Sequence, residues 1–346
     1  PNVYSPLRHP ERALARRDQV IRHLLRVGRI SSEEAALARA EPAPRPQSRP
    51  AAPESFLLQH VRRELGDAVD LRALPPGSAI FTTLDPRLQR IALEELRASD
   101  PDPAGPEIAV VALDPRSGAI RALVGSRDYL ASQLDRATRA RRSLGAMVQP
   151  LLALARTADR SELPDALRQD APEPGAAGSA RLAEELAFSP PSRDSAAPEA
   201  EFEGSLLDLV SAYAMLPAGG RRIVPSAVAS VQAPAGERLL ERPRDASWEV
   251  DPASAFAVHT LLARADGVAT REAGAGDPTG VARVGMVAQS HGRRDAWAVG
   301  YSPSLVLGIW SGFDDERPLD PGATDRVASL WSRIFDRVHE GLPGES

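Results

Sequence analysis

Across residues 8–40, apolar side chains recur at helical spacing. Leu14, Val20, Ile21, Leu24 and Leu25 fall on roughly one face. Gly28 offers a stop, and Ser31 with Glu34 has capping-box spacing for a second helix. "EPAPRPQSRPAAP", from Glu41 to Pro53, breaks the pattern as a proline-rich linker, and a basic helix is expected around Phe56 to Leu65. "AIFTTLDPRLQRIALEELRAS" then reads as a short strand and a helix. Asp85 suits the N-cap and Pro86 the first helical position, with Leu88, Ile91, Ala92 and Leu96 on one face. In "EIAVVALDPRSGAIRALVGS" the pattern becomes that of a hairpin: strand Ile108–Leu113, turn Asp114–Gly118, strand Ala119–Val124.

A helix is expected to begin near Gly145. Residues 165–204, rich in Ala, Pro, Glu and Ser, read mostly as loop with a short helix near Ala180–Ala187. "SLLDLVSAYAMLPAGGRR" is an amphipathic helix stopped by Pro217 and Gly219-Gly220, and another helix spans about Pro252 to Ala265. Three strand-like runs follow, "ARVGMVAQS", "DAWAVGYS" and "SLVLGIWSGF", and "TDRVASLWSRIFDRVHEG" closes as an amphipathic helix. Two strands, a helical middle, three strands and a last helix predict an α+β domain, with helices packed on one antiparallel sheet.

Composition narrows the chemistry. Aromatics make up only 4% of the 346 residues, so the core must be mostly Leu, Val, Ile and Ala. A net charge of -5 gives no reason to expect nucleic-acid binding. No apolar run approaches the ~18 residues of a membrane span. The first residue is Pro1 rather than Met, which leads us to expect a start trimmed from a longer chain. There is no Cys, so thiolate chemistry and disulfides are excluded. There is also no Lys, and Asn2 is the only Asn. Arg stays protonated in proteins, so no side-chain amine can act as a base or form a Schiff base here. The six His are scattered without ligand spacing, and neither metal nor cofactor is expected.

The order and wording of several phrases resemble the C-terminal half of class A penicillin-binding proteins, the bifunctional peptidoglycan synthases. "YSPLRHPERALARRDQVIRHLL" and "GRISSEEAALARAEP" resemble the tail of their glycosyltransferase domain. "IFTTLDPRLQ", "VALDPRSGAIRALVGSRDY", "QLDRATRARR", "SAYAMLPAGGRRIVP", "DAWAVGYSPSLVLGIWSGFDD" and "GATDRVASLWSRIF" follow their transpeptidase domain in order. The resemblance implies a penicillin-binding/β-lactamase-like α+β fold with a five-stranded antiparallel sheet. It implies a glycosyltransferase-like tail at 1–40, a linker at 41–54, a linker region and domain start at 55–107, and a transpeptidase-like domain at 108–340. It also implies a place in the bacterial cell envelope, on the periplasmic or extracytoplasmic side of the inner membrane. The partners it implies are peptidoglycan or other wall-synthesis components. Any membrane anchor and glycosyltransferase catalytic residues would belong to an upstream segment.

The active family carries S-x-x-K, S-x-N or S-D-N, and K-T-G. Three residues apart on a helix bring hydroxyl and amine to one face, where the amine can activate the serine. Here "GSxxKP" aligns with "GAMVQP", so Ala146 and Gln149 stand at the serine and lysine positions. Counting back from "DAW", K-T-G aligns with Met286, Val287 and Ala288. The S-x-N form cannot occur, and the segment that should hold the middle motif, between Pro150 and Ser205, looks shortened. Codon bias would exchange Lys for Arg, not for Gln and Met, and the serine is gone as well. The expectation is a catalytically inactive transpeptidase-like domain, a scaffold or docking element in peptidoglycan synthesis, with no catalytic residue.

Two other readings stay open: a binding module for wall peptides or a protein partner, and an acyl hydrolase with rebuilt chemistry. Candidate binding residues around the former cleft are Gln289, Ser290, His291, Arg142 and Arg293. Ser290 and His291 are strand neighbours and point to opposite faces, which suits them poorly to share a proton. His259, among apolar neighbours, is expected to be packed or at the surface. Asp314-Asp315 is expected to be a turn, and the clusters Arg139-Arg141-Arg142 and Arg293-Arg294 to be solvated. Trp297, Trp310 and Trp331 are expected in the core. Met147, Met286 and Val287 predict a cleft filled by its own side chains.

Overall fold

The computed structural model describes residues 10–40, 55–68, 73–99, 105–129, 132–158, 186–189, 202–241, 250–264 and 281–340. The chain divides into two compact units, Pro1–Ala52 and Pro53–Ser346. In the first, α1 (Pro10–Arg26) and α2 (Ser32–Ala40) pack together. Gly28, at φ +69°, turns the chain after α1. The capping box forms: Ser31 N–H donates to Glu34 at 2.7 Å and Glu34 N–H to Ser31 Oγ at 3.1 Å. The expected linker from Glu41 to Pro53 lies outside the described residues.

The second unit is built on a five-stranded antiparallel sheet. Its strands are β2 (Glu107–Leu113), β3 (Ile120–Val124), β8 (Val284–Gln289), β9 (Asp295–Tyr301) and β10 (Val306–Gly312). The order is β3-β2-β10-β9-β8. Trp310 pairs with Trp297 and with Ala109, and Ala288 pairs with Trp297. The three central strands are buried on both faces, which is why they read as near-continuous apolar runs.

Alternate residues serve two cores. Val110, Ala112, Ala298 and Ile309 face α4 (Pro86–Ser99) and α8 (Ala323–His339). Ala109, Val111, Trp297 and Val299 face the larger core. That side holds α3 (Ser55–Ala68), α5 (Gln149–Ala158), α6 (Leu206–Tyr213) and α7 (Pro252–Arg264). The three tryptophans are buried as expected.

Local signals fix the helix starts. Asp85 Oδ1 accepts from the N–H groups of Arg87 and Leu88 at 2.8 and 3.2 Å, an N-cap before Pro86. Ser205 and Asp208 close a second capping box at α6. At the far end of α8, the Arg87 guanidinium donates to the carbonyls of Val338, Arg337 and Glu340. It thereby satisfies helix-end acceptors that would otherwise lack a partner.

The structure differs from the sequence reading in a second sheet. β1 (Ala79–Thr82), β6 (Val228–Gln232) and β7 (Arg238–Glu241) form a three-stranded antiparallel sheet in the order β1-β6-β7. Thr83 Oγ1 ties it to the main body through the carbonyls of Ile120 and Ser226, both at 2.9 Å. A minimal pair, β4 (Arg142–Ser143) with β5 (Glu203–Gly204), frames the chain before Gly145. Only the last residues of the expected Ala180–Ala187 helix are described, and Leu186 and Ala187 form a turn.

Gly308 sits where α6 crosses the sheet, and a Cβ there would lie 2.2 Å from Val210 Cγ2. Gly308→Ala should therefore destabilise the second unit by about 1–3 kcal/mol through overpacking. Urea denaturation should show it as a lowered midpoint with an unchanged slope.

Candidate functional site

The site expected from the motifs lies where the end of β8 meets the chain leading into α5. Gly145 is at φ +51°, and a Cβ on it would stand 2.6 Å from the Gln289 carbonyl oxygen and 2.8 Å from Ser290 Cα. Only glycine allows this approach. The chain then forms a 3-10 turn, Gly145–Val148, before α5 begins at Gln149. Gln149 N–H donates to the Ala146 carbonyl. In a 3-10 turn residues three apart eclipse, so positions 146 and 149 stand one above the other. The structure thus brings the expected pair together, through a tighter turn than the α-helix predicted.

Met147 and Val148 are buried, Gln149 is half-buried, and the methyl of Ala146 is exposed. At the serine position the chain presents a group with neither a lone pair nor a transferable proton. The exposure of Ala146 also departs from the expected filling by side chains, because Met147 turns into the core instead of over the cleft.

On β8, Met286 and Ala288 pack toward the core that holds Met147, while Val287 packs toward α4 and α8. The Tyr213 hydroxyl donates to the Met147 carbonyl at 2.9 Å and lies 3.5 Å from the Met286 sulfur. Burial pushes the Tyr213 hydroxyl pKa far up, so it stays a neutral phenol. Where the resembled motif has an ammonium, this chain has a thioether against a buried tyrosine.

Ser290 and His291 are not brought together as a proton-sharing pair. Ser290 Oγ donates to Asp295 Oδ2 at 2.9 Å and accepts from Asp295 N–H at 3.0 Å, closing the turn between β8 and β9. Asp295 Oδ1 accepts from Trp310 Nε1 at 2.9 Å. Burial pushes the Asp295 carboxyl up, against the opposing pull of the Trp310 and Ser290 hydrogen bonds. His291 and Arg293 are exposed on that turn. Gln289 is half-buried, and its amide Nε2 is enclosed with no hydrogen-bond partner among the described residues.

Arg142 differs from the solvated residue expected. Its side chain is 12% exposed, because the guanidinium lies over Trp310, 5.4 Å from the ring centroid, beside Asp314 and Glu316 at 3.6 and 3.7 Å. Sequence reasoning missed its neighbour Arg136, whose side chain is 1% exposed and which forms a two-pronged pair with Asp314. That pair holds the Asp314 carboxyl below its ordinary range. Asp314 is therefore a turn residue occupied by arginines, in line with the structural role expected for it. The segment expected to carry the middle motif falls largely in 159–185 and 190–201, outside the described residues. Among the described residues no cluster of potential metal ligands occurs.

No family profile matches the chain. It is 24% identical to penicillin-binding protein 2D of Bacillus subtilis over 403 aligned positions, covering 99% of this chain and 58% of that protein. The chain is homologous to the class A penicillin-binding proteins. It spans little more than half the length of such curated relatives. The fold of this penicillin-binding-protein homologue matches penicillin-binding protein 1A of Haemophilus influenzae with a TM-score of 0.72 at 16% identity, over 99% of this chain and 78% of that one. It also matches the D,D-transpeptidase domain of a peptidoglycan glycosyltransferase from Eggerthella lenta, with a TM-score of 0.56 at 17% identity over 82% and 88% of the two chains. The fold is that of a penicillin-binding-protein transpeptidase domain.

The Arg136–Asp314 pair sets a pH test. Asp314 has a lowered folded-state pKa, so its stabilisation is full above the unfolded carboxylate value of ~3.9 and is lost as pH falls through the lower folded value. Asp314→Asn should cost about 1–3 kcal/mol at neutral pH, less than a fully buried pair because Asp314 is half exposed. The difference from the parent should shrink as denaturation is repeated at progressively more acidic pH below ~4.

Proposed function

We propose that this chain is a transpeptidase-fold domain that does not catalyse acyl transfer and acts as a scaffold or docking element in peptidoglycan synthesis. The single observation behind the reading is the pair Ala146, exposed, and Gln149, half-buried, at the head of α5, which together offer neither hydroxyl nor amine. The same loss repeats on β8 at Met286. With no Lys in the chain, no neighbouring amine can stand in. In a serine hydrolase, loss of nucleophile or base costs on the order of a million-fold in turnover.

The relatives' greater length supports the wider reading. In it the natural protein carries a peptidoglycan glycosyltransferase domain and a membrane anchor upstream. It works at the bacterial cell envelope, on the extracytoplasmic side, among wall-synthesis partners. Among the described residues no helix is long and apolar enough to cross a membrane.

One observation favours a second reading, a non-catalytic binder of wall peptides. β8 is the last strand in the sheet order, so its outer edge has no partner strand among the described residues. The amide Nε2 of Gln289, without a partner among the described residues, lies at its end. An extended peptide adds to such an edge through main-chain hydrogen bonds.

Incubation with a fluorescent penicillin, read by gel and intact mass, should give no covalent adduct. Ala146→Ser alone should also remain essentially unlabelled, because the base at 149 is still missing. A stoichiometric serine adduct on the parent chain would overturn the reading. Titration with stem peptides separates scaffold from binder: saturable binding that Met286→Glu abolishes establishes the binder.

A further inference from the structure

A cavity of about 570 Å³ opens at the start of β8, the opposite end of that strand from the Gly145 contact. None of the motif positions 146, 149 or 286–289 lines it. Its walls come from distant parts of the chain: Leu216 and Pro217 after α6, Phe256 on α7, Val284 on β8, and Pro303 between β9 and β10. The volume falls within the roughly 300–1,000 Å³ of small-molecule sites, which pair an apolar lining with a few polar groups.

The lining presents no charge. Arg283 touches the rim, but its guanidinium is turned to the other face of the sheet, where it pairs with Asp336 and lies 5.6 and 5.4 Å from the ring centroids of Trp331 and Phe335 on α8. Burial keeps His259 and Tyr301 uncharged, lowering the imidazole pKa and raising that of the phenol. The Ser302 hydroxyl is already engaged, 3.2 Å from His339 Nε2. An ion entering here would give up its hydration with no opposite charge to replace it, whereas an uncharged apolar body would lose only unfavourable contact with water.

The His259–Tyr301 pair supplies one donor, whichever ring nitrogen is protonated. A neutral imidazole and a neutral phenol carry two polar hydrogens between them, and the contact between Nδ1 and the hydroxyl, at 3.0 Å, uses one. If the phenol donates, Nε2–H is left over; if Nδ1–H donates, the phenol O–H is left over. Among the described residues neither side chain makes a further hydrogen bond. Phe256, 69% exposed at the rim, stacks on the same imidazole with centroids 6.1 Å apart, so an apolar surface adjoins the donor.

We infer that this cavity binds a small uncharged molecule, largely apolar and bearing one acceptor oxygen of the ketone or ester kind, its oxygen at the His259–Tyr301 pair and its apolar body against Leu216, Phe256 and Val284. The site shares no residue with positions 146, 149 and 286–289, so it stands or falls apart from the proposed loss of acyl transfer.

The test is titration of the chain with 2-octanone, followed by calorimetry and ligand-observed NMR, with octanoate as the charged probe of equal length. The ketone should bind saturably, with a negative heat-capacity change from apolar burial. Octanoate should bind about tenfold more weakly or not at all. His259→Phe and Tyr301→Phe each leave one donor and should stay within about threefold of the parent. The double variant leaves none and should lose about tenfold, the size of one hydrogen bond. Ala263→Trp fills the cavity from its half-buried rim and should abolish binding. Circular dichroism and a cooperative melt identify folded variants, and the comparison of the two probes on the parent chain needs no variant. Absence of saturable 2-octanone binding up to millimolar concentration overturns the proposal. So does octanoate binding as tightly as the ketone, or parent-like affinity in the folded double variant or in folded Ala263→Trp.

Discussion

Helices reach this sheet as closely as they do because the central strands carry almost nothing where the helices cross. A Cβ on Gly300 would stand 2.5 Å from Trp331 Cζ2, and one on Gly308 would meet Val210. Trp331 then lies flat enough for its indole N–H to reach the Leu307 carbonyl at 2.8 Å. One large ring over one missing side chain couples α8 to β9 and β10 at once. Gly145 repeats the device on the other core, bringing the entry to α5 against the backbone of β8. The approach of the α5 entry to β8 thus rests on backbone contacts.

Charge inside the second unit is handled by arginine. Arg136 is sealed beneath the β10 turn and paired with Asp314, and Arg142 spreads over Trp310 while facing the same carboxylate. A flat guanidinium can pair and stack together, which an ammonium cannot do as well. Next to them, Asp295 collects the Trp310 and Ser290 hydrogen bonds in a buried chain. The polar residues near the cleft are thus engaged in holding the β8–β9 and β10 turns in place.

What the sequence showed depended on the range of the interactions involved. Ser31 with Glu34, Asp85 and Ser205 act within four residues, and the helices they start were legible. So was the five-stranded sheet, since β2, β9 and β10 are buried on both faces and their apolar runs are unmistakable. That Ala146 and Gln149 stand where the resembled motif has serine and lysine could be read directly, once the surrounding phrases set the alignment. The second sheet was not legible, because β1 is largely exposed and its register joins Ile80 to Val231. The burial of Arg142 was hidden for a similar reason: its partners Asp314 and Glu316 lie far along the chain. No local pattern could announce the His259–Tyr301 pair, which joins α7 to β9.

The outer edge of β8 has a consequence beyond catalysis. Sheet edges commonly bear a lysine, whose long charged side chain discourages other strands from docking. The resembled motif places one on this strand, and here the position is Met286, followed by Val287 and Ala288. An uncharged side chain there supplies no such guard. The strand is a short, uncharged ribbon, and among the described residues no further strand pairs with its outer edge.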